Sequence, residues 1–325
     1  MKKILNIFVV SFALVFSSNL FANKIGVIYD SGGKFDKSFN ELAFRTAERV
    51  KNELGWDMIE FEAANNTQIE QGMRKVADRG ATLVVAMGFA QADAVAAIAP
   101  QYPDINFVAV DVCWVDDPAG NIYQACYLEH EGSFLVGVIA AMASKTGTIG
   151  FVGGMDIPFI RKFQGGYEQG ALHANPDIKI LANMTGTTPE AWNNPTKGAE
   201  LTKAQIDGGA DVVYQAAGGT GIGVLQAAAD AGIMGIGVDT NQNWMHPGSM
   251  LTSMLKRLDL TIFEQAEKTA AGTFEPGINI LGLAQGMVGY ATEDGMVTDE
   301  MAAAADAAAA GIIDGSISVA DWSQE

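Results

Sequence analysis

The residues of this chain best suited to chemistry lie in one short stretch, DSGGKFDKSFN at residues 30–40, where Asp30, Asp36 and Asn40 are interleaved with Phe35 and Phe39. Carboxylates and a carboxamide make directional hydrogen bonds, and phenylalanine rings offer flat apolar faces. Together they make a recognition set and not a reactive one. The plainer reading is that Phe35 and Phe39 are core residues and Asp36 is only a helix cap; both readings stand at this point. Reactive sets are absent from the sequence pattern. His130, His173 and His246 are scattered, none sits in a motif that would activate a nucleophile, and there is no GxSxG elbow. Paired carboxylates for glycoside hydrolysis remain open, because their spacing is set in space and not along the chain.

The elements that must position this stretch can be read on either side of it. Residues 24–29, KIGVIY, form a short apolar branched run suited to a buried strand, which stops at Asp30 and the small residues Ser31, Gly32 and Gly33. Asp36 is placed to cap a helix whose first turn carries Lys37, Ser38, Phe39 and Asn40. In an open parallel sheet such a loop sits at the carboxyl end of its strand, facing a crevice. The pattern then repeats, with strands at 57–61, 82–87 and 106–110 and helices at 65–79 and 90–99. Two of these strands stop at Gly88-Phe89 and Asp111, in line with Asp30.

From Glu129 the theme starts again. A helix at 132–144 leads to a strand at 148–152 that stops at Gly153-Gly154, and a helix follows at 159–173. Beyond a strand at 178–184 comes a loop at 185–195 that carries Trp192 and Asn193-Asn194-Pro195. A helix at 196–208, a strand at 212–216 containing Tyr214, and a strand at 235–238 ending at Asp239 complete the set. Regular alternation predicts an α/β chain with parallel sheets and crossover helices, in two related halves. The run Gly218-Gly219-Thr220-Gly221-Ile222-Gly223 invites a nucleotide-loop reading. Val224-Leu225 stand where a Walker loop needs Lys and Ser or Thr, so the run reads instead as a helix start where backbone approaches a polar ligand closely.

The bulk properties set limits. A length of 325 residues suits two domains of ordinary size, and 49% hydrophobic content allows a substantial core. The N-terminus reads as a secretory signal peptide over residues 1–22: Lys2 and Lys3 precede an apolar run at 4–16, then small residues up to Ala22. Leu20 is larger than usual for its place before the cut, and an uncleaved anchor is the rival reading, although the run is short for a full span. No cysteine lies near this site, so the mature protein is expected in the periplasm without a lipid anchor. Removing the peptide leaves 18 basic against 38 acidic residues, a net −20. Nucleic acid and anionic membrane are poor partners for such a surface. Cys113 and Cys126, on neighbouring apolar segments, can form a disulfide in an exported protein, and neither they nor the histidines have metal-ligand spacing.

DSGGKFDKSFN at 30–40, EHEGSFLVG at 129–137, AAGGTGIGV at 216–224, GVDTNQ at 237–242 and TSMLKRLD at 252–259 together resemble the basic membrane protein family. These are solute-binding proteins of ABC importers, typified by purine nucleoside receptors, and the resemblance covers essentially the whole mature chain. It implies a type I periplasmic-binding-protein fold: two Rossmann-like domains joined by three crossovers, with one ligand in the interdomain cleft. On that plan residues 24–128 plus 257–282 form the N-terminal lobe, and 129–256 plus 283–325 the C-terminal lobe. The resemblance also implies a site in which two aromatics sandwich a base, Phe39 being the first and Trp192 the second with Tyr214 behind it. Asp239 and Lys256 would grip the sugar, Gly218 would approach it, and Phe35, Asp36, Asn40, Phe89 and Asp111 would surround the base, with Asp30 a further ligand-binding candidate facing the same crevice from its strand end. The expected protein is a monomeric receptor without cofactor that delivers a purine nucleoside to a permease and its ATPase subunits. An exported nucleoside or sugar hydrolase, and a sensor presenting its ligand to a membrane receptor, are the alternatives. A repressor of this fold is set aside, since no DNA-binding helix-turn-helix precedes Lys24 and the chain is exported.

Overall fold

The computed structural model describes residues 23–324 except Ala64; the signal-peptide reading therefore concerns residues outside those described. The chain opens with β1 (Lys24–Tyr29), α1 (Phe39–Leu54), β2 (Asp57–Glu62), α2 (Ile69–Asp78), β3 (Leu83–Met87), α3 (Ala92–Ile98), β4 (Asn106–Val110) and β5 (Ile122–Tyr127). It continues through α4 (Glu129–Ala143), β6 (Thr148–Met155), α5 (Pro158–Ala174), β7 (Lys179–Gly186), α6 (Pro195–Asp207), β8 (Val212–Ala216), α7 (Gly221–Asp230), β9 (Met234–Asp239) and β10 (Met250–Lys256). Last come α8 (Leu258–Ala271), β11 (Gly277–Leu281), β12 (Val288–Tyr290) and α9 (Asp299–Asp314).

These strands form two six-stranded sheets, in the orders β11-β5-β4-β3-β1-β2 and β12-β10-β9-β8-β6-β7. All pairings are parallel except β10 with β12. The central strands are largely apolar because helices cover both faces, so LVVAM of β3 and VVYQA of β8, Gln215 included, are buried at every position. The chain leaves the first sheet after β5, returns to it through α8 and β11, and rejoins the second at β12. The fold is of the type I periplasmic-binding-protein class, with each sheet and its helices making one lobe. Strand β4 of the first sheet occupies the place that β9 holds in the second, and β1 the place of β6. A disulfide joins Cys113 to Cys126 beside the carboxyl end of β4. No described helix is long and apolar enough to cross a membrane.

Three local expectations need correcting: α4 starts at Glu129 and not at Gly132, β6 runs through Gly153-Gly154 to Met155, and the first helix starts late. Helix α1 begins at Phe39 and not at Lys37, because Lys37 takes a left-handed backbone, φ 62°, which no α-helix interior accommodates. Asp36 nonetheless supplies the capping oxygens from outside the helix. Its carboxylate accepts the backbone N–H of Ser38, Asn40 and Glu41 at 2.9, 3.0 and 3.1 Å.

Candidate functional site

The carboxyl ends of the two sheets face each other across a cavity of about 540 Å³ of empty space, counting its open mouth. From the first lobe, β1 contributes Asp30, the start of α1 Phe39, the end of β3 Gly88 and Phe89, and the end of β4 Asp111. From the second, the start of α5 contributes Phe159 and Phe163, the loop before α6 Trp192, the turn after β8 Gly218, and the ends of β9 and β10 Asp239 and Lys256.

Of the residues expected from sequence, Asp30, Asp36, Phe39, Phe89, Asp111, Trp192, Gly218, Asp239 and Lys256 line this one cavity. Asn40 stands behind it. Its amide donates to Asp30 Oδ1 at 2.6 Å and to Asp36 Oδ2 at 3.1 Å, fixing both carboxylates. Phe35 does not line the cavity. It is 60% exposed, edge-on to Phe44 with Lys34 above its ring, and borders an outer recess with Asn193 and Pro195. Tyr214 is also elsewhere: strand alternation turns it to the face of β8 covered by α4 and α5, where its ring packs on Phe151 and Tyr167 and its hydroxyl lies 3.2 Å from Ser133 Oγ.

Sequence reasoning missed Phe159, Phe163, Glu129 and Lys162. The internal repeat held the signal for the first two: α5 follows β6 as α1 follows β1, so an aromatic in its first turn occupies the place of Phe39. Glu129 and Lys162 carried no comparable signal, since their roles depend on packing between helices.

Lys256 is the electrostatic centre and is only 1% exposed. Its ammonium lies 2.5 Å from Asp111 Oδ1 and 2.9 Å from Glu129 Oε1, and Lys162 approaches the other oxygen of Glu129 at 2.7 Å. Burial alone would pull Lys256 down, but Asp111, Glu129 and Asp239 outweigh it and hold the ammonium well above the usual lysine range. Burial likewise pushes Glu129 up, while Lys162 and Lys256 pull harder and bring it down to about 2. Asp30, Asp111 and Asp239 are all pushed up by burial, against the hydrogen bonds and the lysine that favour their charged forms. Asp36 is raised to about 7 by the same cause, in spite of its three backbone N–H donors. These carboxylates gain most from a ligand that brings hydroxyl or N–H donors.

Flat surfaces complete the site. The ammonium of Lys256 lies 5.1 Å from the centre of the Phe39 ring and 5.2 Å from that of Phe159, and Phe89 and Phe159 pack with centroids 5.8 Å apart. Trp192 rests on the backbone of Gly154: a Cβ there would come within 2.1 Å of the indole, so the glycine is what lets the ring lie flat. In the glycine run only Gly218 lines the cavity; a Cβ on Gly221 would meet Gln215 at 2.1 Å, and one on Gly223 would meet Pro195 O at 1.8 Å. The later glycines therefore serve packing around α7. Among the described residues no cluster of His, Cys, Asp and Glu is arranged to hold a metal ion.

Known proteins share the sequence pattern and the fold of this chain. Residues 22–322 match the family model for PnrA-like ABC transporter substrate-binding proteins. Basic membrane protein A2 of Borrelia garinii subsp. bavariensis is 33% identical over 285 residues, covering 86% of this chain and 82% of that protein. The ABC transporter nucleoside-binding protein BmpA of Lactococcus lactis subsp. cremoris is 32% identical over 319 residues, 91% of this chain and 88% of its own. Among solved structures, an ABC transporter solute-binding protein from Aeropyrum pernix K1 superposes with a TM-score of 0.82 at 26% identity, covering 91% of this chain and 92% of the other. The chain belongs to the basic membrane protein family of PnrA-like ABC transporter substrate-binding proteins.

Proposed function

We propose that this protein captures a purine nucleoside between its lobes and delivers it, chemically unchanged, to a membrane permease driven by ATPase subunits. Residues 24–128 plus 257–282 act as one lobe and 129–256 plus 283–325 as the other. The protein works as a monomer in the periplasm after loss of residues 1–22. The observation that carries the reading is the pairing, within one cavity, of aromatic faces with a buried lysine and carboxylate set. Phe39 and Trp192 reach it from opposite lobes and suit the two faces of a base, with Phe159 and Phe163 alongside. Asp239 and Lys256 suit vicinal hydroxyls, which both donate and accept hydrogen bonds. The name of the Lactococcus relative supports the ligand class. Contacts on both lobes exist only with the cleft shut, so the ligand favours closure.

Calorimetric titration with inosine, guanosine, adenosine, cytidine and free ribose tests the proposal, with chromatography of each ligand after long incubation. Saturable binding of intact purine nucleosides, stronger than of cytidine or ribose, is expected. Cleavage of the glycosidic bond would turn the reading to a hydrolase, and preference for free ribose would remove the base from the account.

A further inference from the structure

Two side chains that do not line the cavity, Ser38 and Gln242, are completely buried where the lobes meet. Ser38, just before α1 in the first lobe, donates its hydroxyl to Asp239 Oδ2 in the second and lies 3.3 Å from Val238 O. Gln242 reaches the opposite way, and its Nε2 donates to the carbonyl of Lys37 at 2.9 Å. Its Oε1 is held in place by the backbone N–H of Val238 at 2.9 Å and by Gln215 Nε2 at 2.8 Å. Gln215 in turn accepts from the backbone N–H of Ala217 at 3.0 Å. A continuous hydrogen-bonded chain thus runs from the turn beside Gly218, through two buried amides, to the left-handed Lys37 two residues before α1.

A buried polar group without a partner is costly, and Ser38 Oγ and Gln242 Nε2 find these partners only across the cleft. We propose that Ser38 and Gln242 are positioning residues for ligand capture: they clasp the lobes and hold the Asp239 carboxylate ready, without touching the ligand. The proposal rests on the reading of Asp239 as a ligand-gripping residue. Because the serine hydroxyl occupies one oxygen, the carboxylate keeps its second oxygen for a hydroxyl of the ligand. Apparent affinity scales with the fraction of molecules in the binding-competent state, so weakening the clasp weakens binding from outside the site.

The test uses the full-length mature protein with inosine as the probe. Ser38→Ala is expected to raise the dissociation constant about ten- to hundredfold, the range for a hydrogen bond to a charged group. It should also enlarge the radius of gyration of the ligand-free protein in X-ray scattering while leaving the melting temperature close to that of the parent. Ser38→Thr, which keeps the hydroxyl, should restore binding, and Gln242→Ala should reproduce the expansion. In an Asp239→Ala background, Ser38→Ala should cost little further affinity, because the group it positions is gone. Undiminished inosine binding with unchanged scattering in Ser38→Ala overturns the proposal, as does an equal loss with and without Asp239. Should the parent protein bind no nucleoside, the functional reading fails by itself, and the scattering of Ser38→Ala still decides whether the clasp exists.

Discussion

Asp111 and Asp239 occupy equivalent places in the two lobes, directly after β4 and at the end of β9, and have nearly the same backbone. Both are left-handed, with φ of 62° and 66°, both are buried, and both have carboxyls pushed up by burial. Their surroundings differ. Asp111 is closed off by the Lys256 ammonium at 2.5 Å, whereas Asp239 takes its hydrogen bond from the neutral hydroxyl of Ser38 and feels Lys256 only through space. One repeated turn has thus given two different groups: a carboxylate tied into an ion network, and one with capacity left for a ligand. A left-handed non-glycine residue costs backbone energy, and retaining it at both strand ends fits the need to aim a carboxylate into the cleft.

The sharpest way to break this comparison is to remove Lys256. Lys256→Met leaves Asp111 and Glu129 buried without their shared cation, and breaking a buried pair in this way costs roughly 3–5 kcal/mol. Urea unfolding should show a loss of that order, and titration should show nucleoside binding abolished. Retained stability would mean the network is looser than its geometry. Next in size, Asp239→Asn should weaken nucleoside binding by about ten- to hundredfold with little change in the urea midpoint, while Asp111→Asn should lower the midpoint more than it lowers affinity. Equal behaviour of the two variants would erase the distinction. Trp192→Ala should raise the dissociation constant by a factor set by about 1–3 kcal/mol of base stacking, measured by titration, with cytidine less affected than guanosine.

The smallest effect concerns pH. Asp36 titrates near 7 in the folded protein and near the ordinary 3.8 when unfolded. Between those values the folded state holds the extra proton, so its contribution to stability falls as pH rises through that window and is level above it. Glu129 has the opposite sign: held at about 2, it contributes stability above its ordinary 4.5 that is lost as pH falls toward 2. Urea unfolding at pH 5 and pH 7.5 should give a smaller difference in Asp36→Asn than in the parent chain. An unchanged difference would assign the titration elsewhere.

Much of the fold was legible because its signals are local. Apolar runs such as KIGVIY and LVVAM, each stopped by a small or acidic residue, marked the strands and the ends that line the cleft. The same logic found Asp30, Phe89, Asp111 and Asp239. It failed where facing mattered: Tyr214 lies on a strand beside the site yet points to the helices, and Phe35 lies in the binding stretch yet turns outward onto Phe44. Phe159 and Phe163 were missed although the repeat of the two halves pointed to the start of α5.

The order of residues along the chain was enough to determine two repeating α/β halves, the family, and the polar strand ends, since each depends on neighbours within a few positions. Only the tertiary structure decided which side chains share the cleft, that Lys256 is buried between Asp111 and Glu129, and that Ser38 reaches Asp239 from the other lobe. Those contacts join residues that are about a hundred to two hundred positions apart. Their charge states and partners follow from burial, which packing sets and no short stretch of sequence encodes.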